Sequence, residues 1–196
     1  MVYEFHAVVM GVSAGGFKAL HTILPMFTKD FPCPLIIVQH RATSEDDFLV
    51  ESLNRKCKLI AKEAEDKELL KSGYIYIAPG NYHLLVEKDK TLSLSVDEPV
   101  CHARPSIDVL FETSAEAFGS NLIGVILTGA NSDGSDGVRA IKSNMGLTIA
   151  QDPETAEVSF MPNCAVATKC IDFVLPLEDI PSFLFNVIED ADERIL

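Results

Sequence analysis

Residues Ala7 to Gly16 read AVVMGVSAGG. The run is apolar from Ala7 to Met10, then turns through Gly11-Val12-Ser13-Ala14-Gly15-Gly16 into a helical pattern. A buried strand that ends in a glycine turn before a helix puts Ser13 at a strand–helix corner. There the pattern G-x-S-x-G fits a nucleophile elbow, because glycines on either side of the serine relieve the crowding of a sharp turn. The same corner turns the first backbone N–H groups of the helix, and the positive end of its dipole, toward an anionic oxygen formed beside the hydroxyl. A glycine-rich turn after a first strand is also how dinucleotide-binding folds hold phosphate, and G-x-S-x-G-G is a near neighbour of G-x-G-x-x-G. The turn alone leaves nucleophile and phosphate cradle open. The ends of the other strands must decide.

Strands and helices alternate outward from this corner. Glu4 to Met10 reads as the first strand and Gly16 to Met26 as a helix with Leu20, Ile23 and Leu24 on one face. Pro34 to Gln39 is an almost unbroken apolar run, as in a sheet covered on both faces, and it ends at His40. A helix over Asp46 to Lys56 and short strands at Lys58 to Ala61 and Tyr74 to Ala78 follow. Leu84-Leu85-Val86 and Leu92 to Val96 alternate on either side of a polar loop, which predicts a hairpin added at one edge. Pro105 opens a helix to about Phe118. Leu122 to Thr128 is another buried strand, ending in Gly129-Ala130-Asn131-Ser132-Asp133-Gly134. A helix over Val138 to Ser143, a strand over Leu147 to Ala150, a helix near Thr155 to Ala167, a strand over Phe173 to Pro176 and a helix from Pro181 complete the pattern. The fold class is α/β: three layers around a mainly parallel, doubly wound sheet, with an antiparallel hairpin at one edge.

With 196 residues, 47% of them hydrophobic, the chain suits one sizeable core, and no linker or repeat divides it, so residues 1–196 read as a single domain. No apolar run approaches the roughly 18 residues of a membrane span and no signal sequence opens the chain, which implies a soluble, cytoplasmic protein without direct membrane insertion. The five cysteines are scattered, odd in number and without C-x-x-C, which favours reduced thiols over a disulfide framework or a zinc site. A net charge of −13 argues against nucleic acid or an anionic membrane surface as partner.

In doubly wound sheets ligands bind beyond the carboxyl ends of the strands, where strand order reverses. Ser13, His40 and Asp133 each follow a predicted strand. A serine nucleophile needs a base within hydrogen-bond reach and a carboxylate that fixes the imidazole tautomer and stabilises the imidazolium. The order Ser, His, Asp along the chain differs from the Ser, Asp, His of α/β-hydrolases. The dinucleotide alternative weakens here, since its fingerprint wants an acid at the end of the second strand and this chain has His40-Arg41.

The blocks VVMGVSAGG, IIVQH, IYIAPGNYH, ARPSIDVLF, GVILTGANSDGSDG, TIAQDPETAEVSFMP and NCAVATK, spanning about Phe5 to Leu184, together resemble the catalytic domain of the chemotaxis protein-glutamate methylesterases (CheB-type). The resemblance carries the family's catalytic serine onto Ser13, its histidine onto His40 and its aspartate, in the D-G pair, onto Asp133. It implies hydrolysis of glutamyl methyl esters on the cytoplasmic helices of chemoreceptors, or on another methylated protein, with release of methanol, and in some members deamidation of glutamine. The backbone N–H groups of Ala14 and Ala130 would hold the oxyanion, each such donor being worth about 3 kcal/mol in the barrier. That chemistry requires neither cofactor nor metal.

Asp136, three residues after Asp133, competes for the role of acid, and either could instead cap the following helix. His83 and His102 compete with His40 as base. His83 follows a Pro79-Gly80 turn and is a candidate for substrate contact, with a surface-loop histidine as the alternative. Arg104 either orients substrate or the acid loop, or pairs structurally; Tyr74 and Tyr76 read as packing. Two departures from the family pattern stand out. Ala130-Asn131 replaces the usual methionine and glycine, where Asn131 is expected to tolerate a positive φ, and Ala14 stands where threonine or serine is common. Family members often carry a receiver domain before this one, whereas the first strand here begins within a few residues of Met1. The expectation is constitutive activity, control by a separate regulator or a methyltransferase partner, or a fragment of a longer protein. A catalytically silent module of the same fold is the competing class.

Overall fold

The computed structural model describes residues 5–40 and 46–193, so Glu4 and Arg41 lie outside the described residues. Its elements are β1 (Ala7–Val12), α1 (Gly16–Ile23), β2 (Leu35–Gln39), α2 (Asp46–Asn54), β3 (Ile60–Glu63), β4 (Tyr74–Ile77), β5 (His83–Val86), β6 (Leu92–Ser95), α3 (Ile107–Phe118), β7 (Leu122–Ile126), α4 (Ser135–Ser143), β8 (Leu147–Gln151), α5 (Phe160–Ala167), β9 (Phe173–Leu175) and α6 (Ile180–Glu193). Seven strands form one sheet in the order β3-β4-β2-β1-β7-β8-β9, and every neighbouring pair is parallel.

The alternation of side chains along β1 divides the core. Val8, Met10 and Val12 pack with Leu20 and Ile23 of α1, Leu49 and Leu53 of α2, and Leu184 of α6. Ala7 and Val9 pack with Ile107, Leu110 and Phe111 of α3, Ile141 of α4 and Met161 of α5. With both faces covered, β1, β2 and β7 are buried at every position, which is why they read as continuous apolar runs.

The hairpin β5–β6 is antiparallel, as its alternation predicts, but it forms a separate two-stranded sheet instead of extending an edge. Leu84, Val86 and Leu92 join the α3 side of the core, and the Val86 N–H donates to Thr113 Oγ1 on α3. The predicted helix near Thr155 begins only at Phe160. Residues 152–159 form a turn whose Val158 N–H donates to Thr128 Oγ1 and whose Val158 carbonyl accepts from Gly129 N–H.

Strand order reverses at the centre of the sheet. β1 leads to β2 on one side, while β7, paired on β1's other side, leads to β8. The crevice beyond β1 and β7 is the topological switch point, the expected ligand site of an open α/β sheet. Two close approaches set its depth. A Cβ on Gly11 would lie 2.3 Å from Ile107 Cγ2, and one on Gly134 would lie 2.8 Å from the same atom. Glycine at these positions lets the first turn of α3 rest directly on the end of β1.

Gly11→Ala forces Ile107 away from β1, and overpacking of this kind costs about 1–3 kcal/mol. Urea denaturation should show that loss, and Ile107→Ala should cost less in the Gly11→Ala background than in the wild type, since it removes the colliding atoms.

Candidate active site

The sequence builds the Ser13 corner with one left-handed glycine and the start of α1. Gly15 takes φ +78° and caps α1, and a Cβ there would meet Glu157 Cβ at 2.8 Å and Thr128 Oγ1 at 3.0 Å. The Ser13 N–H donates to Thr128 O, and the Gly16 N–H donates back to Ser13 O. Because the peptide is trans, the Ala14 N–H points opposite to that carbonyl, out of the corner. Thr128 Oγ1 donates to Ala14 O and fixes the next peptide as well. Among the described residues no backbone acceptor takes the N–H of Ala14 or of Ala130, and both residues are exposed.

His40 follows β2 as Ser13 follows β1. Val12 and Gln39 are register partners, and the His40 N–H donates to Val12 O at 3.0 Å. Serine and histidine therefore occupy equivalent positions on strands about 4.8 Å apart. The His40 side chain is 13% exposed and its Nε2 lies 2.8 Å from Asp133 Oδ2. Asp133, wholly buried, also accepts from Ile107 N–H at 2.7 Å, Ser106 Oγ–H at 2.9 Å and Asp108 N–H at 3.0 Å. Ser106 is the N-cap of α3, so the carboxylate sits on that helix's N-terminus. Burial pushes the Asp133 carboxyl up, but the His40 hydrogen bond, the two backbone donors and the imidazole's charge outweigh it and hold it below the usual range. A carboxylate that only accepts requires the proton on His40 Nε2 and leaves the lone pair on Nδ1. The ring is thus used in the opposite sense to the chymotrypsin arrangement, where Nδ1–H faces the acid.

The rival residues lie elsewhere. Asp136 is exposed and pairs with Arg139 at 2.5 Å. His102 is exposed, and Tyr76 is buried with its hydroxyl accepting from Lys71 N–H. His83 corrects the expectation of a substrate-contacting histidine. It is 1% exposed, its Nδ1 accepts from Ser106 N–H and its Nε2 donates to Glu98 O, so it braces the cap that holds Asp133. Arg104 is likewise turned inward on structure, with Nη1 donating to Val96 O and Asp97 O, which anchors the segment after β6. Asn131 does not adopt a positive φ; its side chain instead donates from Nδ2 to His40 Nδ1 at 3.2 Å and accepts from Asp133 N–H at Oδ1.

Sequence reasoning did not single out Asp108. It is 4% exposed, and its Oδ1 accepts from Gly134 N–H and Gly137 N–H at the start of α4. Burial, opposed by the Gly137 hydrogen bond and reinforced by the nearby Asp133 charge, pushes its carboxyl up to about 6. An acid in the first turn of a helix that opens with R-P-S was the available signal. Cys101, Asp108 and Asp133 bring potential metal-ligand atoms within 4.8 Å of one another. Their oxygens are already engaged by N–H, O–H and S–H donors, which accounts for the grouping.

Similarity to known proteins places this chain in the class of the carboxylic ester hydrolases. Residues 8–184 match the family model described as CheB methylesterase, and the chain belongs to that family. A relative from Leptospira interrogans, provisionally named as a protein-glutamate methylesterase/protein-glutamine glutaminase, is 53% identical over 97% of this chain and 99% of its own length. The protein-glutamate methylesterase/protein-glutamine glutaminase of Clostridium acetobutylicum is 34% identical over 94% of this chain. There the chain spans about half of the relative, 54% of its length. The crystal structure of the Thermotoga maritima CheB methylesterase catalytic domain superposes with a TM-score of 0.90 at 36% identity, covering 94% of this chain and 99% of that one.

Asp108 supplies a pH test of the buried network. Its folded-state value near 6 exceeds the ordinary 3.8, so the folded chain binds this proton more tightly than the unfolded chain. Its contribution to stability therefore falls as pH rises from about 4 to about 6 and stays lost above that window. Asp108→Asn, which keeps an oxygen for Gly134 and Gly137, should gain stability relative to wild type between pH 4 and pH 8 in urea denaturation. A constant difference would contradict the assignment.

Proposed function

We propose that this chain, acting as one catalytic domain, is a protein-glutamate methylesterase that uses Ser13 as nucleophile, His40 as base and Asp133 as the supporting acid. The observation that carries the reading is the 2.8 Å bond from His40 Nε2 to the buried Asp133 carboxylate, beside the serine corner on the next strand. Ser13 Oγ attacks the side-chain ester carbonyl as its proton passes to His40 Nδ1. The charge that develops on the carbonyl oxygen falls to the outward N–H groups of Ala14 and Ala130. Collapse of the tetrahedral adduct breaks the C–O bond to the methyl group's oxygen, and the imidazolium returns the proton so that methanol leaves. Water, activated by the same ring, then attacks the acyl-enzyme and releases a glutamate side chain and free Ser13. Asp133 stabilises the imidazolium throughout and holds its tautomer.

Family membership supports methylated chemoreceptors as substrates, and we take the groups acted on to be glutamyl methyl esters on their cytoplasmic helices, with the enzyme working in the cytoplasm. An amide presents the same carbonyl, so glutamine deamidation, with ammonia leaving in place of methanol, needs no further residue. Among the described residues no helix is long and apolar enough to cross a membrane.

Methanol release from methylated receptor tests the reading. Ser13→Ala should reduce it to background; equal measurable rates would reject Ser13 as nucleophile, and no release by the wild type would favour a non-catalytic binding module. Asp133→Asn should lower turnover by about four orders of magnitude, because an amide nitrogen facing Nε2 selects the wrong tautomer.

A further inference from the structure

Asn131 closes a ring of polar contacts around the base. Its Oδ1 accepts from Asp133 N–H at 3.2 Å, two residues along the chain, which commits the amide's oxygen to the backbone. Its Nδ2 therefore faces His40 Nδ1 at 3.2 Å as a donor. That contact requires a lone pair on Nδ1, and the Nε2 contact with Asp133 independently requires the same tautomer. Two neighbours thus agree on the state of the ring, and one of them occupies the electron pair that must take the serine proton.

Resting on the reading of Ser13 as nucleophile, we propose that Asn131 is a positioning residue that caps the general base in the resting enzyme: its amide holds His40 Nδ1 until the serine hydroxyl displaces it. The cap locks the productive tautomer from the second side, and it costs activation, because an Asn131–His40 hydrogen bond is exchanged for the Ser13–His40 one. Once His40 is protonated, Nδ1 carries hydrogen and accepts nothing, so the amide must have swung clear. Its swing leaves the Oδ1 bond to Asp133 as the hinge. With φ at residue 131 outside the left-handed region, alanine or glycine fits the same backbone, and either substitution removes the cap together with the Oδ1 acceptor of Asp133 N–H.

The test is the second-order rate at which a fluorophosphonate labels the wild type, Asn131→Gly, Asn131→Ala and Ser13→Ala, together with 15N NMR of the neutral His40 ring. Removing the cap should speed labelling about five-fold, the equivalent of one neutral hydrogen bond. In ester hydrolysis it should raise kcat with KM little changed. The Nδ1 resonance should move toward that of a free acceptor in both variants. Unchanged or slower labelling, or an unmoved Nδ1 resonance, overturns the cap while leaving Ser13 as nucleophile. A wild-type ring protonated on Nδ1 overturns it without reference to any variant. Absence of labelling in the wild type would instead fail the methylesterase reading itself.

Discussion

Two buried carboxylates and two helix N-termini are exchanged at the heart of this protein. Asp133 lies immediately before α4 but binds the first N–H groups of α3. Asp108 lies in the first turn of α3 but binds Gly134 and Gly137 at the start of α4. Each helix therefore presents its positive end to the acid supplied by the other. Burying a carboxylate costs several kcal/mol, which attraction to a neighbour offsets only when the remaining lone pairs are also satisfied. Asp133 meets that condition with donors from Ser106, Ile107, Asp108 and His40. Asp108 is the carboxyl driven up, chiefly by burial, with the Asp133 charge adding to it.

That exchange explains why apparently remote residues matter to the rim. The α3 N-terminus can hold Asp133 only if it reaches the end of β1, and Gly11 and Gly134 open the space for Ile107 that allows it. His83, at the start of the hairpin, accepts from Ser106 N–H and so braces the cap. The hairpin is joined to α3 instead of to the sheet because its role is to back this helix, through Leu84, Val86 and the bond to Thr113. On the other side of the crevice Thr128 performs the matching task. Its carbonyl takes Ser13 N–H, and its hydroxyl ties Ala14 to Val158.

Much of this was legible in the chain because buried parallel strands write themselves as apolar runs, and the residue after each run falls on the rim. Ser13, His40 and Asp133 could be found that way. The choice of Asp133 over Asp136 rested on the family resemblance, since each acid precedes a glycine, Gly134 or Gly137, and only coordinates separate the buried acid from the solvated one in the first turn of α4. Residues 152–159 deceived for a physical reason. Glu154, Thr155 and Ala156 suit a helix, yet Val158 is drawn out of one by bonds to Thr128 Oγ1 and Gly129 N–H. His83 and Arg104 deceived for another: a polar residue in a turn reads as exposed unless the backbone group it satisfies is known. No local pattern announces that Ser106 N–H or the Val96 carbonyl awaits a partner.

The orientation of the imidazole carries the deepest consequence of the topology. In a sheet where serine and histidine follow adjacent parallel strands, both side chains rise from the same rim, and the acid must approach from the face that carries α3. The acid loop follows β7, on the far side of β1 from β2, so Asp133 reaches His40 across the end of the serine's own strand. Meeting the ring at Nε2, the atom furthest from the backbone, is what that span allows. Nδ1, closer to the main chain of β2, is left for whatever stands nearest on the rim. A fold that places Ser13 and His40 on neighbouring strands, with Asp133 on Nε2, therefore leaves Nδ1 facing the rim, within reach of polar side chains in the β7–α4 loop. The identity of residue 131 therefore bears directly on the imidazole, and Asn131 places its amide nitrogen 3.2 Å from His40 Nδ1.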